Sequence, residues 1–284
     1  MPTVLSEQAC FGGTQGFYTH ASRHIGLPMR FSVYRPPQAR AGKVPVLIYL
    51  AGLTCTEETF MVKGGAQRYA AEHGVMLVAP DTSARDTGIA GAADSWDLGT
   101  GAGFYLDATE APWSAHFKME SYIVDELRAT IVDDFGGDPE RIGIFGHSMG
   151  GHGALVLALR HPQLFRSVSA FAPIAAPTLC PWGQKAFGAY FGGADTAHAR
   201  AHDASALMAT RSTPFPEGIL IDQGLADQFL ELQLMPEQFE RACALARQPL
   251  TLRRHPGYDH GYYFVSSFMG EHIAHHARIL AALP

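Results

Sequence analysis

The chain has 284 residues, 47% of them hydrophobic and 17% charged, with a formal net charge of −6. That length suits one large α/β domain, read as spanning 1–284, with ample apolar material for a core. An acidic balance without a concentrated basic stretch excludes a nucleic-acid partner, and no apolar run approaches the roughly 18 residues of a membrane span.

Met1 to Glu7 lacks a basic segment followed by a long apolar one, so no secretory signal is expected. The four cysteines, Cys10, Cys55, Cys180 and Cys243, are far apart and form no Cys-x-x-Cys pair. Free thiols in a reduced, cytoplasmic setting are the expectation.

Strands are predicted at Met29–Tyr34 and Val44–Leu50, with an antiparallel hairpin of the first strands at the sheet edge. A helical pattern follows over Glu57–His73, then a strand at Val75–Ala79. Asp81–Ser114, rich in Gly, Asp and Thr, breaks the rhythm. It follows a strand end, where open α/β sheets build their sites, and reads as a compact loop packed beside one. Its Gly99-x-Gly101-x-Gly103 run lacks the Lys-Ser/Thr of a P-loop and is no dinucleotide fingerprint, so no nucleotide cofactor is expected.

A helix over Glu120–Phe135 leads to a strand at Ile142–Phe145, the pentapeptide Gly146-His147-Ser148-Met149-Gly150, and a helix over Gly151–Arg160. Strand, sharp turn and helix with serine at the corner is the layout of a nucleophile elbow. Strands at Val168–Phe171, Gly218–Ile221 and Leu250–Arg253, and helices at Pro236–Arg247 and Tyr262–Leu280, complete the chain. Several strands are continuously apolar, as strands covered on both faces are. The pattern predicts an α/β-hydrolase-like fold, with a mostly parallel central sheet and helices on both faces.

A serine hydroxyl needs a base and the base an orienting acid, which in this fold follow in the order Ser, Asp/Glu, His. After Gly218–Ile221 two carboxylates compete, Asp222 at the strand end and Asp227 in the loop beyond. Asp227 can reach across to a neighbouring loop and is preferred; Asp222 is assigned to ordering the turn. Among 14 histidines, His260 stands in a turn between the last strand and the final helix. It completes the order Ser148, Asp227, His260. His147, beside the nucleophile, is expected to line the pocket. The Met149 amide and, from Ala51-Gly52-Leu53-Thr54, the Leu53 amide are the expected oxyanion donors. His272, His275 and His276 have helical ligand spacing, but no motif supplies further ligands. A polar face on the last helix is expected there, and no metal.

At this point the chain resembles the S-formylglutathione hydrolase (esterase D) family over nearly its full length. The resemblance is carried by Cys10-Phe11-Gly12-Gly13, Gly52-Leu53-Thr54-Cys55-Thr56-Glu57, Ala79-Pro80-Asp81-Thr82-Ser83 and Ser95-Trp96-Asp97 with Gly99–Tyr105. Phe145–Ala154, Cys180-Pro181-Trp182-Gly183, Asp222-Gln223-Gly224 with Asp227–Leu230, and Gly257-Tyr258-Asp259-His260 complete it. It implies Ser148, Asp227 and His260 as nucleophile, acid and base, with Leu53 and Met149 as oxyanion donors. The implied reaction is hydrolysis of S-formylglutathione to formate and glutathione, without a cofactor. A homodimer is implied as well. Gly261 departs from the family's serine after the histidine, and Leu225-Ala226 from its Lys-Asp before the acid.

Trp96, Trp182 and His147 are candidate pocket walls, and Cys55, two residues past Leu53, is a candidate site thiol. Lys63, Arg85 and Lys185 are read as solvated bases within reach of glutathione carboxylates. A general carboxylesterase acting on small acyl esters is the alternative, and a non-catalytic binding protein on a hydrolase scaffold the third reading.

Overall fold

The computed structural model describes residues 1–283. The chain opens with three antiparallel strands, β1 (Thr3–Cys10), β2 (Gly13–Ala21) and β3 (Pro28–Arg35). β4 (Val44–Leu50) follows, then two short helices, α1 (Glu57–Lys63) and α2 (Gln67–His73), and β5 (Met76–Pro80). The predicted single helix Glu57–His73 breaks at Gly64-Gly65, where Gly65 takes φ +65°. After the long loop come α3 (Met119–Ser121), a π-helical stretch Tyr122–Leu127 and α4 (Arg128–Phe135). β6 (Gly137–His147), α5 (Met149–Arg160) and β7 (Ser167–Phe171) form the centre.

Three helices absent from the sequence reading follow: α6 (Pro181–Phe191), α7 (Ala197–Arg200) and α8 (Ala204–Met208). Pro181 opens α6, and the Cys180 thiol accepts from the Gly183 amide at 3.4 Å to cap it. The chain ends with β8 (Ile219–Gly224), α9 (Pro236–Ala246), β9 (Leu250–His255) and α10 (Tyr262–Ala281).

Among the described residues, nine strands lie in the order β1-β2-β3-β5-β4-β6-β7-β8-β9, antiparallel up to the β3–β5 pair and parallel from there on. β5, β7 and β8 are buried at every residue, which accounts for their continuous apolar runs. The expected hairpin between the first predicted strands does not form, because β5 and not β4 pairs with β3. The edge hairpin is β1–β2 instead. β1 is exposed along most of its length and so carries no apolar face for a periodicity reading to find.

Sequence-adjacent elements leave β4 in opposite directions: β5 lies on one side and β6 on the other. That reversal opens a crevice beyond the carboxyl ends of β4 and β6, where α/β sheets bind their ligands. The loop after β4 is Ala51–Thr56, and the residue after β6 is Ser148.

Candidate active site

Ser148 sits between β6 and α5 at φ +58°, ψ −120°, a strained backbone for a residue with a side chain. The neighbouring glycines permit it. A Cβ on Gly150 would fall 1.9 Å from the Leu50 carbonyl oxygen, and one on Gly146 2.3 Å from that of Gly150. The Ser148 amide donates to the Phe171 carbonyl at 3.0 Å, tying the corner to β7.

The Ser148 Oγ lies 2.9 Å from His260 Nε2, and His260 Nδ1 lies 2.6 Å from Asp227 Oδ2. An ionised carboxylate can only accept, so Nδ1 carries the proton and Nε2 is left to accept from Ser148. The other carboxylate oxygen, Asp227 Oδ1, accepts the Phe229 amide at 2.8 Å. The Asp227 side chain is fully buried, and His260 is partly buried. The loops carrying acid and base are sewn together. The Leu225 amide donates to the His255 carbonyl and the Ala226 amide to that of Tyr258, both at 2.9 Å. Gly224 allows this approach, since a Cβ there would meet the Tyr258 carbonyl at 2.4 Å.

Asp222, one strand end away, does not order the turn as expected. Its buried carboxylate receives two hydrogen bonds from Arg253, at 2.6 and 2.5 Å, and lies 3.2 Å from both His272 Nε2 and His255 Nε2. Burial opposes its ionisation, but the His272 and Arg253 hydrogen bonds prevail and hold the carboxyl well below the usual range. Its hydrogen-bond and ion-pair partners are Arg253, His255 and His272, and neither Ser148 nor His260 is among them.

The polar face predicted on α10 is likewise buried and not solvated. His272 Nδ1 meets Ser169 Oγ at 2.8 Å, and His276 meets Ser167 Oγ at 2.6 Å and Ser169 Oγ at 2.8 Å. Among the described residues, no group of three His, Cys, Asp or Glu side chains could hold a metal ion.

The loop Ala51–Thr56 borders the serine: a Cβ on Gly52 would lie 3.3 Å from Ser148 Cβ. Met149 opens α5, where the first amides have no intrahelical acceptor. Among the described residues the Leu53 amide has no backbone acceptor either. The loop is fixed from several sides. The Thr54 amide donates to the Gly101 carbonyl at 2.9 Å, and Tyr105 Oη to that of Ala51 at 2.7 Å. Thr82 Oγ1 and Arg85 Nη2 both donate to the Cys55 carbonyl at 2.7 Å. The Asp81–Ser114 segment thus packs directly behind this loop, and Arg85, bound also to Asp81, is not a solvated base. Lys185 pairs with Asp97 and Ser95.

A pocket of about 190 Å³ opens over Ser148 and His260. Trp96 and Trp182 stand edge to face, 5.5 Å apart, on one side of it; Trp182 is buried and Trp96 exposed. Leu53 and Cys55 line it too, and burial pushes the Cys55 thiol up, away from the reactive thiolate. His147 lies with its ring tilted against that of His260, centroids 4.5 Å apart; burial drives it well below its ordinary range, so it stays neutral, and neither nitrogen has a side-chain partner among the described residues. Two further walls, Phe229 and Tyr262, escaped the sequence reading. Each lies two residues beyond a proposed triad member, a proximity that could have drawn attention to them.

The family model described as "Putative esterase" matches residues 22–275. An S-formylglutathione hydrolase of Paracoccus denitrificans (strain Pd 1222) is 54% identical over 277 residues, 98% of each chain. One of Mus musculus is 51% identical over 279 residues, again 98% of each chain. A solved S-formylglutathione hydrolase from Agrobacterium tumefaciens superposes with a TM-score of 0.94 at 48% identity, covering 98% of this chain and 99% of that one.

Proposed function

The chain belongs to the S-formylglutathione hydrolase family of α/β-hydrolase esterases, and from that premise we propose that Ser148, His260 and Asp227 hydrolyse S-formylglutathione to formate and glutathione. The observation that carries the assignment of residues is the continuous hydrogen-bond chain from Ser148 Oγ through His260 to Asp227, at 2.9 and 2.6 Å, at the mouth of a pocket.

Neutral His260 takes the Ser148 proton at Nε2 as Oγ attacks the formyl carbon. Asp227 keeps the ring in that tautomer and stabilises the imidazolium. The Leu53 and Met149 amides receive the oxyanion; removing one such donor typically costs about 10²–10³ in rate. The C–S bond breaks and glutathione leaves as a thiolate, which at a thiol pKa of about 8.5 needs little protonation. Water, deprotonated by His260, then attacks the formyl ester, and formate departs from Ser148. The narrow pocket walled by Trp96, Trp182 and Phe229 suits a formyl group better than a bulky acyl chain. Cys55 and His147 line the same pocket.

We read the chain as one domain built on the single sheet. The four unpaired cysteines support a cytoplasmic setting. A homodimer follows from family resemblance, and sedimentation at micromolar concentration tests it.

The deciding experiment compares S-formylglutathione with a short-chain aryl acetate, for wild type and Ser148→Ala. The expected result is a large kcat/KM preference for the thioester, with kcat lowered by about 10⁴ or more in the variant. A preference for the aryl ester, equally lost in the variant, would keep the triad and make the enzyme a general carboxylesterase.

A further inference from the structure

The pocket over Ser148, about 190 Å³, holds a formyl group but not the tripeptide attached to it; sites for small molecules usually run to about 300–1,000 Å³. A larger cavity of about 530 Å³ lies along the same edge of the sheet, lined by Arg30, Thr56, Glu57, Asp81 and Arg85 among others. Its position follows from the topology. Asp81 and Arg85 follow β5, while Ser148 follows β6, with only β4 between them. Pro28–Arg30 begin β3, antiparallel to β5, so they reach the same end, and the Asp81 amide donates to the Arg30 carbonyl at 3.0 Å.

Asp81 at the end of β5 stands two strand spacings from Ser148, about 10 Å, and Arg30 on β3 three, about 14 Å, so an extended tripeptide reaching about 10 Å meets Arg30 through its long, exposed side chain. The cavity and the serine pocket share a wall. Cys55 lines the pocket, its neighbour Thr56 lines the cavity, and Arg85 holds the Cys55 carbonyl from the cavity side.

Within the cavity one carboxylate has no side-chain partner at hydrogen-bond distance, only its own backbone amide. The Glu57 side chain is 3% exposed, yet among the described residues its carboxylate accepts no side-chain hydrogen bond, and its nearest cation, Arg30 Nη1, is 4.0 Å away. Asp81, by contrast, is saturated by Arg85. Burial, and then the charge of Asp81, push the Glu57 carboxyl up. The Arg30 side chain is 60% exposed and free to swing.

We infer that this cavity receives the zwitterionic γ-glutamyl end of glutathione, its α-ammonium against Glu57 and its α-carboxylate against Arg30, while the cysteinyl sulfur lies over Ser148. The inference rests on the glutathione-thioester reading above. It makes Glu57 and Arg30 specificity residues that touch the substrate far from the bond that breaks.

The test crosses an enzyme change with a substrate change. Wild type and Glu57→Gln are assayed on S-formylglutathione and on its N-acetyl derivative, which has no ammonium. In wild type, acetylation should lower kcat/KM about ten-fold, mostly through KM, the worth of one charge-assisted contact. In Glu57→Gln that penalty should shrink to less than two-fold. Should Glu57→Gln not fold, Arg30→Gln at its exposed position is crossed in the same way with the α-carboxamide of the γ-glutamyl end. Equal penalties in wild type and variant would overturn the subsite while leaving the thioesterase reading intact. A wild type that turns over the aryl acetate but not S-formylglutathione would overturn that reading, and the subsite with it.

Discussion

Among the described residues, two Ser–His–Asp sets invite comparison, and one of them lines a pocket. Ser148, His260 and Asp227 lie at the carboxyl edge of the sheet, on a strained corner, beside amides without internal acceptors. Ser169, His272 and Asp222 lie beneath it: His272 Nδ1 is 2.8 Å from Ser169 Oγ, and Nε2 is 3.2 Å from Asp222. All three of these residues are fully buried. The inner set also differs in electrical loading. Asp222 is spent on Arg253 and His255, and Ser169 is shared with His276. The same three residue types within hydrogen-bond reach therefore do not make a hydrolase. The outer set adds an open approach to the serine, a backbone that lifts Oγ out of the strand, and the two amides proposed to receive the oxyanion.

The largest expected effect breaks the comparison at the serines. Ser148→Ala should lower kcat by about 10⁴ or more, with little change in melting temperature. Ser169→Ala should leave turnover within a few-fold and instead cost about 1–3 kcal/mol in denaturant unfolding, since two buried histidines lose a partner. Turnover lost in the second variant and kept in the first would reverse the assignment.

The aspartates come next. Asp227→Asn should drop kcat by about 10⁴, because the amide favours the wrong histidine tautomer. Asp222→Asn should leave the chemistry alone but destabilise the fold by about 3 kcal/mol, the low end for a broken buried pair because Arg253 reaches water. Thermal melts beside steady-state kinetics separate the two.

The histidines of the inner set provide a pH signature. Burial drives His276 well below its ordinary value of 6.5 and lowers His272 despite the pull of Asp222. The unfolded chain takes up these protons near pH 6.5 while the folded chain does not, so the unfolded state binds more protons below that point. Stability must then fall with pH from about 6.5 downward. His276→Gln should flatten that decline by about 1.4 kcal/mol per pH unit, read from urea unfolding between pH 6 and 5.

The smallest effect belongs to the rim of the outer set. Gly261 precedes α10 as its N-cap and offers no side-chain acceptor. A Cβ there would lie 3.2 Å from Asp259 Oδ1, a contact that a small shift relieves. Gly261→Ser should stabilise the protein by a few tenths of a kcal/mol, with turnover changed little. A loss of turnover would mean that the His260 turn depends on glycine.

Much of this was legible in the residues alone. The elbow around Ser148 is a local steric event: glycines on both sides of a serine, between an apolar strand and a helix, leave the chain few other conformations. The parallel core strands announced themselves because both of their faces are buried, and the order Ser148, Asp227, His260 is a linear property of the chain.

Other features were decided by distant partners. β1 shows no apolar face and is held by pairing with β2, with Glu7 bound to Tyr18 and Arg35 across the sheet. Loop position favoured Asp227 over Asp222 in the sequence, but what Asp222 does instead shows only in the fold, where β9 brings Arg253 to it while the His260 loop meets Asp227. The histidines of α10 read as a solvated face until the serines of β7 close over them. Phe229 and Tyr262 become pocket walls, and Glu57 a buried carboxylate without a close side-chain partner, for the same reason. Sequence by itself determined the secondary structure of the core and the chemistry at the elbow, because those depend on near neighbours and burial period. Which polar side chains are shared, spent or left free depends on contacts between residues far apart in the chain, and only the tertiary structure decided that.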